Sequence, residues 1–106
     1  MSQGSPKPAR GLSPRARGIW TRIVDSWDVE AAGEHHFALL TEALRSLDRA
    51  EEARKYLDSH GLTFEDRFQQ PKERPQVAIE HRHRNLFRLL IRDLELDFDP
   101  EDDGGA

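Results

Sequence analysis

Apolar residues recur at every third or fourth position through the middle of this chain and form a single stripe. The members of the stripe are Phe37, Leu40, Leu44, Leu47, Ala50, Ala53 and Leu57. This spacing places all of them on one side of an α-helix. Gly61 is a typical helix-terminating residue, so the sequence predicts a helix over residues 34–60 that is about 40 Å long. Such a helix is longer than a domain of 106 residues needs, and we expect part of it to pack against another chain.

A first helix is predicted to begin at Ser13. The Ser13 hydroxyl can accept a hydrogen bond from an unpaired backbone N–H, and Pro14 is well tolerated at the first helical position. Apolar side chains follow at helical spacing as far as Trp27. We expect both tryptophans, Trp20 and Trp27, to lie on the core side of this helix.

A third helix is predicted over residues 75–94, beginning at Pro75. Its apolar side is predicted to consist of Ile79, Leu86, Phe87, Leu90 and Leu94. The preceding segment, residues 62–75, contains two prolines and predicts an irregular connection, a β-hairpin or an extended arm. The chain is therefore expected to be all-α, with three helices and a long central helical hairpin.

Composition predicts one domain with two disordered ends. Hydrophobic residues make up 36% of the chain and charged residues 34%. We expect a single helical oligomerisation and DNA-binding domain over residues 12–96, a disordered basic arm over residues 1–11 and a disordered acidic tail over residues 97–106. The sequence has no cysteine, no signal-peptide pattern and no apolar run near the roughly 20 residues that span a bilayer. We therefore expect a cytoplasmic protein without membrane contact.

Charge is segregated along the chain, although the net charge is only −4. Residues 1–22 carry five bases and no acid, and residues 72–92 carry six bases and two acids. The other two blocks are acidic, with eleven acids and five bases over residues 23–71 and seven acids without a base over residues 93–106. Phosphate attraction depends on the local field, so the net charge does not exclude nucleic acid.

The two basic blocks supply the candidate DNA contacts. A basic arm that leads into a basic helix can follow phosphates and fold on contact. The bases of the first block could instead solvate a surface helix or pair with acids of residues 23–71, and those of the second block could pair with Glu80 and Asp93. The candidates are Lys7, Arg10, Arg15, Arg17, Arg22, Lys72, Arg74, Arg82, Arg84 and Arg88.

The acidic tail is the candidate docking segment for a protein partner. Its candidate residues are Asp97, Asp99, Glu101, Asp102 and Asp103. The alternatives are a terminus that only solvates the chain and a DNA mimic that limits non-specific binding by the basic blocks.

Nothing in the sequence predicts catalysis. There is no glycine-rich phosphate loop, no nucleophile turn and no cysteine nucleophile. His81 and His83 are two residues apart on a predicted helix, where they point to nearly opposite faces and cannot share a metal within one chain. We therefore expect no enzyme activity, no cofactor and no metal.

Three segments give the chain a family resemblance. Leu12, Ser13 and Trp20 mark the first helix, the run YLDSHGLTF over residues 56–64 closes the second, and the run RPQVAIEHRHRNLFRLLIRDLELD over residues 74–97 forms the third. With these features the chain resembles the small subunit of tailed-phage terminases, in its short form without a helix-turn-helix.

The resemblance implies an accessory role in the packaging of viral DNA. Such proteins assemble into rings, bind the viral packaging site and deliver it to the large terminase subunit, which carries the ATPase and the nuclease. It implies an oligomeric ring in the host cytoplasm, with double-stranded viral DNA and the large subunit as partners. The alternative is a helical protein–protein interaction module, antitoxin-like or anti-regulator, that does not bind DNA.

Overall fold

The computed structural model describes residues 6–27 and 32–96, and this part of the chain is mainly helical. Its elements in chain order are α1 (Pro14–Ser26), α2 (Glu34–His60), β1 (Thr63–Glu65), β2 (Pro71–Glu73) and α3 (Pro75–Asp93). The predicted helical class and the bounds of the second helix are confirmed, and the connection before α3 is the β-hairpin among the expected alternatives. None of the helices in these two ranges is long and apolar enough to cross a membrane.

Helix α1 begins as Ser13 predicts, and the same residue attaches it to the middle of α2. The Ser13 hydroxyl oxygen accepts a hydrogen bond from the Ala16 N–H at 3.0 Å. This hydroxyl donates to Asp48 Oδ1 at 2.6 Å, and the Ser13 backbone N–H donates to Asp48 Oδ2 at 2.8 Å. Asp48 is only 8% exposed, so a buried carboxylate joins the start of one helix to the inner side of another.

The hydrophobic core lies where α1 packs against the first half of α2. The largest fully buried side chains are Ile19, Val24, Leu40, Leu44 and Leu47, and α3 adds Phe87, Ile91 and Leu94. The rings of Trp20 and Trp27 lie 6.0 and 5.6 Å from the ring of Phe37, which confirms their predicted inward orientation. We call this three-helix region the base; it comprises α1 with residues 34–51 and 84–94.

Beyond the base, α2 and α3 continue together as a two-helix hairpin. The buried cluster that includes α1 extends along α2 only to Leu47, and further along this helix the buried apolar side chains are Ala50, Ala53 and Leu57. The molecule consequently measures 65 Å in its longest dimension and 26 and 23 Å in the other two. We call residues 52–83, which end in the β-hairpin, the arm.

The β-hairpin is fixed to the end of α2 by Arg74. Strands β1 and β2 are antiparallel, with Phe64 opposite Lys72. Gly61 ends α2 with a φ of 86°, a backbone conformation that favours glycine. The Arg74 guanidinium donates to the carbonyl oxygens of Gly61 at 2.9 Å and His60 at 3.0 Å. These bonds satisfy carbonyl groups that every helix end leaves without a partner.

The predicted apolar side of α3 needs one correction. Phe87 and Leu94 are buried and Ile79 and Leu90 are half-buried, but Leu86 is 39% exposed. Adjacent residues lie about 100° apart around a helix, so the inward position of Phe87 directs Leu86 toward solvent. Sequence spacing alone did not distinguish these two neighbours.

Helix α3 ends in a Schellman motif with a residue that this motif rarely uses. The Leu96 N–H donates to the Ile91 carbonyl at 3.1 Å, and the Glu95 N–H donates to the Arg92 carbonyl at 2.8 Å. Glu95 has a φ of 58°. Glycine is the usual residue at this position because it adopts the left-handed conformation without a Cβ clash.

Substitution of Glu95 by glycine is expected to raise the free energy of unfolding by about 0.5–1 kcal/mol. The measurement is the midpoint of urea unfolding at unchanged slope. Glu95→Ala is the control, because it removes the carboxylate from the C-terminal end of the helix dipole but keeps the strained backbone, and its gain should be only a few tenths of a kcal/mol. Equal gains for glycine and alanine would contradict the backbone explanation.

Candidate nucleic-acid interface

The solvent-facing side of α3 carries a row of basic and apolar side chains. We call it the α3 outer face; its residues are Ala78, His81, Arg82, Asn85, Leu86, Arg88, Leu89, Arg92 and Asp93. All nine are exposed. Helical spacing places Arg82 and Leu89 close to one line along the helix, and Arg92 lies one turn beyond Leu89 on the adjacent row. The distance from Arg82 to Arg92 along the axis is about 15 Å, a length over which duplex DNA presents several phosphates.

The middle of the α3 outer face forms a shallow groove. It is lined by Asn85, Arg88, Leu89 and Arg92. Arg88 donates to Asn85 Oδ1 at 3.4 Å, so its guanidinium lies along the helix surface. Neither Arg82 nor Arg92 forms an ion pair with a residue of the described ranges. Arginines in this state can pair with phosphate without first breaking an internal contact.

Besides Arg88, other predicted DNA contacts also take part in contacts within the fold. Arg15 forms an ion pair with Glu51 of α2, and Arg84 donates to Glu80 one turn away at 3.0 Å. Arg74 uses its guanidinium on the carbonyl groups at the end of α2. A guanidinium in such a contact has fewer N–H groups left for a phosphate, so Arg15, Arg74 and Arg84 are less suited to bind phosphate than an arginine without an internal contact.

The basic segment before α1 is positioned by Trp20. The indole N–H donates to the carbonyl oxygen of Pro6 at 2.9 Å, which holds residues 6–11 near the base. The exposed bases of this region are Lys7, Arg10, Arg17 and Arg22. Residues 1–5, which belong to the N-terminal segment predicted to be disordered, lie outside the described ranges.

The structure does not bring the ten predicted bases together in one patch. One group surrounds the start of α1, a second lies on the α3 outer face, and Lys72 lies on the β-hairpin at the end of the arm. Arg92 was missed from the sequence, although it follows Arg88 by one turn and Arg82 by ten residues on a predicted helix. It is the last base of the block over residues 72–92, directly before Asp93 and the acidic run.

The histidines do not form a metal centre within the described ranges, where no group of three or more potential ligands could hold an ion. His81 is exposed and its Nε2 lies 3.2 Å from the Asn85 side-chain nitrogen. His83 is half-buried, on the other side of the helix. The five acids predicted to dock a protein partner, Asp97, Asp99, Glu101, Asp102 and Asp103, lie outside the described residues.

Comparison with protein-family models, with curated proteins and with solved structures finds no match to this chain. The resemblance to terminase small subunits therefore rests on the sequence features alone.

Proposed function

We propose that this protein is the small subunit of a phage terminase, an oligomeric helical adaptor that acts in the cytoplasm of the host cell. In this proposal it binds double-stranded viral DNA and recruits or stimulates the large terminase subunit, with the acidic tail as the docking segment. The observation that carries the proposal is the α3 outer face, where three exposed arginines, Arg82, Arg88 and Arg92, lie beside the exposed Leu86 and Leu89. Such a face can bind phosphates through its charges and another surface through its leucines.

The arm supports the oligomeric part of the proposal. It exposes apolar side chains that a monomer would leave in water: Leu62 is 56% exposed, Phe64 39% and Tyr56 38%. Exposed apolar patches are typical of protein contact surfaces. In a symmetric ring each basic face would occur once per subunit, so weak phosphate contacts would add up along one DNA molecule.

The same exposed side chains favour the alternative, a helical module that binds another protein and no DNA. The aromatic residues Tyr56 and Phe64 are of the type that anchors protein interfaces. The two functions differ in one measurable property, because only the adaptor should bind duplex DNA with a steep dependence on salt.

Light scattering separates the two functions. The mass of the purified protein is measured at low and moderate salt, with and without a double-stranded DNA fragment. The proposal expects a discrete assembly of several subunits that binds the fragment and releases it as salt rises. A monomer or dimer that is indifferent to DNA would overturn the adaptor proposal and favour the protein-binding module.

Charge removal on the α3 outer face is expected to weaken DNA binding. In the double variant Arg82→Gln and Arg92→Gln, the slope of log Kobs against log salt should fall by about 1.8, because two phosphate contacts are lost. The matched control is Arg45→Gln with Arg49→Gln. These two arginines are also exposed on a helix, but they pair with Glu42 at 3.6 Å and Glu52 at 3.3 Å.

Both double variants remove two positive charges, so a general effect of net charge would weaken binding equally. A loss that is confined to Arg82 and Arg92 places the DNA on the α3 outer face. Equal losses, or no loss in either variant, would exclude this face as the binding site. Circular dichroism spectra of all variants confirm that the helices remain.

A further inference from the structure

The tip of the β-hairpin presents the most exposed of the large apolar side chains in the described ranges. Phe68 is 69% exposed. The guanidinium carbon of Arg67 lies 4.9 Å from the centre of its ring, a cation–π distance. An aromatic ring with a cation on its face is therefore held in solvent at the end of the arm opposite the base.

The loop is ordered by its own hydrogen bonds. The Asp66 carboxylate accepts from the backbone N–H groups of Phe68 at 2.8 Å and Gln70 at 3.0 Å. The Gln69 N–H donates to the Asp66 carbonyl at 2.9 Å, and Gln69 has a φ of 62°. Residues 67–69 therefore form a three-residue hairpin loop, in which a β-turn is followed by Gln69 in the left-handed conformation. The Asp66 carboxylate is thereby directed into the loop, and Phe68 is directed out of it.

The hairpin is attached firmly to the helices of the arm. The Arg74 guanidinium lies 5.8 Å from the ring centre of Tyr56 and 5.7 Å from that of Phe64, in addition to its hydrogen bonds to the end of α2. The Tyr56 ring stacks on His60 at 4.0 Å. The loop is therefore a fixed projection of the arm.

The register of the hairpin separates its charges. Phe64 is opposite Lys72, so these two side chains share one face of the ribbon. Glu65 and Glu73 are each one residue away from that pair, so they lie on the other face. One face of the ribbon is cationic and aromatic, and the acids point away from it.

We propose that this loop inserts into the minor groove of double-stranded DNA, with Phe68 as a wedge between base pairs. The inference rests on the proposed DNA-binding function. Proteins that bind the minor groove use arginine and glutamine on base edges and apolar side chains that unstack a base step and kink the duplex. Arg67, Phe68, Gln69 and Gln70 supply that set in consecutive positions. A protein pocket for Phe68 would also have to satisfy the buried guanidinium and two amides beside it, which is costly unless each is paired.

The test uses the full chain and a duplex that carries 2-aminopurine at an A·T step and a dye at each end. Binding of the wild-type protein should raise the 2-aminopurine fluorescence, because the base unstacks, and should shorten the distance between the dyes, because the duplex bends. Phe68→Ala should abolish both changes and weaken binding about tenfold. Thr63→Ala is the control, since it truncates another exposed side chain of the same β-hairpin, on the face away from Phe64 and Lys72, and should leave both signals unchanged.

The possible results separate the loop from the function on which it rests. Wild-type protein that binds the duplex without unstacking or bending it overturns the loop proposal and leaves the DNA-binding adaptor intact. Wild-type protein that does not bind the duplex overturns both. If Phe68→Ala lowers the mass of the assembly in light scattering but leaves unstacking and bending unchanged, the loop contacts protein and the proposal is wrong.

Discussion

Substitution of Asp48 by alanine is expected to lower the free energy of unfolding by about 2–3 kcal/mol. The carboxylate accepts two hydrogen bonds from Ser13, at 2.6 and 2.8 Å, and hydrogen bonds to a charged group are stronger than neutral ones. Alanine would leave the Ser13 N–H without its partner in a partly buried position, in addition to removing the attraction. The start of α1 and the basic segment before it would no longer be fixed to α2.

The loss is measured by urea unfolding, with Asp58→Ala as the matched control. Asp58 lies on the same helix but is exposed and pairs with Arg54 at 3.5 Å, so its removal should cost no more than about 0.5 kcal/mol. Ser13→Ala removes both the hydroxyl contact with Asp48 and the N-cap of α1, and it should lower the free energy of unfolding by about 1 kcal/mol or more. The double variant Ser13→Ala with Asp48→Ala should lose less free energy of unfolding than the sum of the two single losses, because each single substitution removes the same contact. If Asp48→Ala and Asp58→Ala lowered the free energy of unfolding equally, the conclusion that Asp48 attaches α1 to α2 would be wrong.

The helix boundaries were predictable because the residues that set them are local. Ser13 with Pro14 starts α1, Gly61 ends α2 and Pro75 starts α3. Each acts on backbone groups within one turn of itself, so its effect does not depend on the rest of the fold. The third helix was predicted one residue too long, since Leu94 is its cap and Glu95 provides the left-handed turn that glycine usually provides.

The attachments between helices were not predictable, because they join residues that are distant in sequence. Asp48 stands in a helix with many acids, and nothing in its neighbourhood indicates that its partner lies 35 residues earlier. Arg15 was predicted either to contact DNA or to pair with an acid of residues 23–71, and only the fold shows that the acid beside it is Glu51. The pairing of Arg84 with Glu80 is a spacing of four on one helix and was among the alternatives that the sequence left open. Which acid an arginine meets on another helix is thus decided by tertiary structure.

Substitution of Trp20 by alanine is expected to cost about 3–5 kcal/mol, the largest loss among these variants. Trp20 is 3% exposed, its ring packs on Phe37 within the base, and its indole N–H holds the Pro6 carbonyl. Alanine would open a cavity between α1 and α2 and release residues 6–11. Domains of this size have a total stability of roughly 5–15 kcal/mol, so the variant should be largely unfolded at modest denaturant concentrations.

Two further variants separate the loss of buried apolar surface from the loss of the hydrogen bond to Pro6. Trp27 also contacts Phe37 but is only half-buried, and Trp27→Ala should therefore cost less than Trp20→Ala. Trp20→Phe keeps most of the buried apolar surface and loses the hydrogen bond to Pro6, so its stability loss should be about 1 kcal/mol. Proteolysis should cut this variant within residues 6–11 faster than the wild type, while the helices stay intact. Because the released segment carries Lys7 and Arg10, Trp20→Phe also reports whether their fixed position contributes to DNA affinity. An unchanged affinity with faster proteolysis would mean that the fixed position of Lys7 and Arg10 does not contribute to DNA affinity.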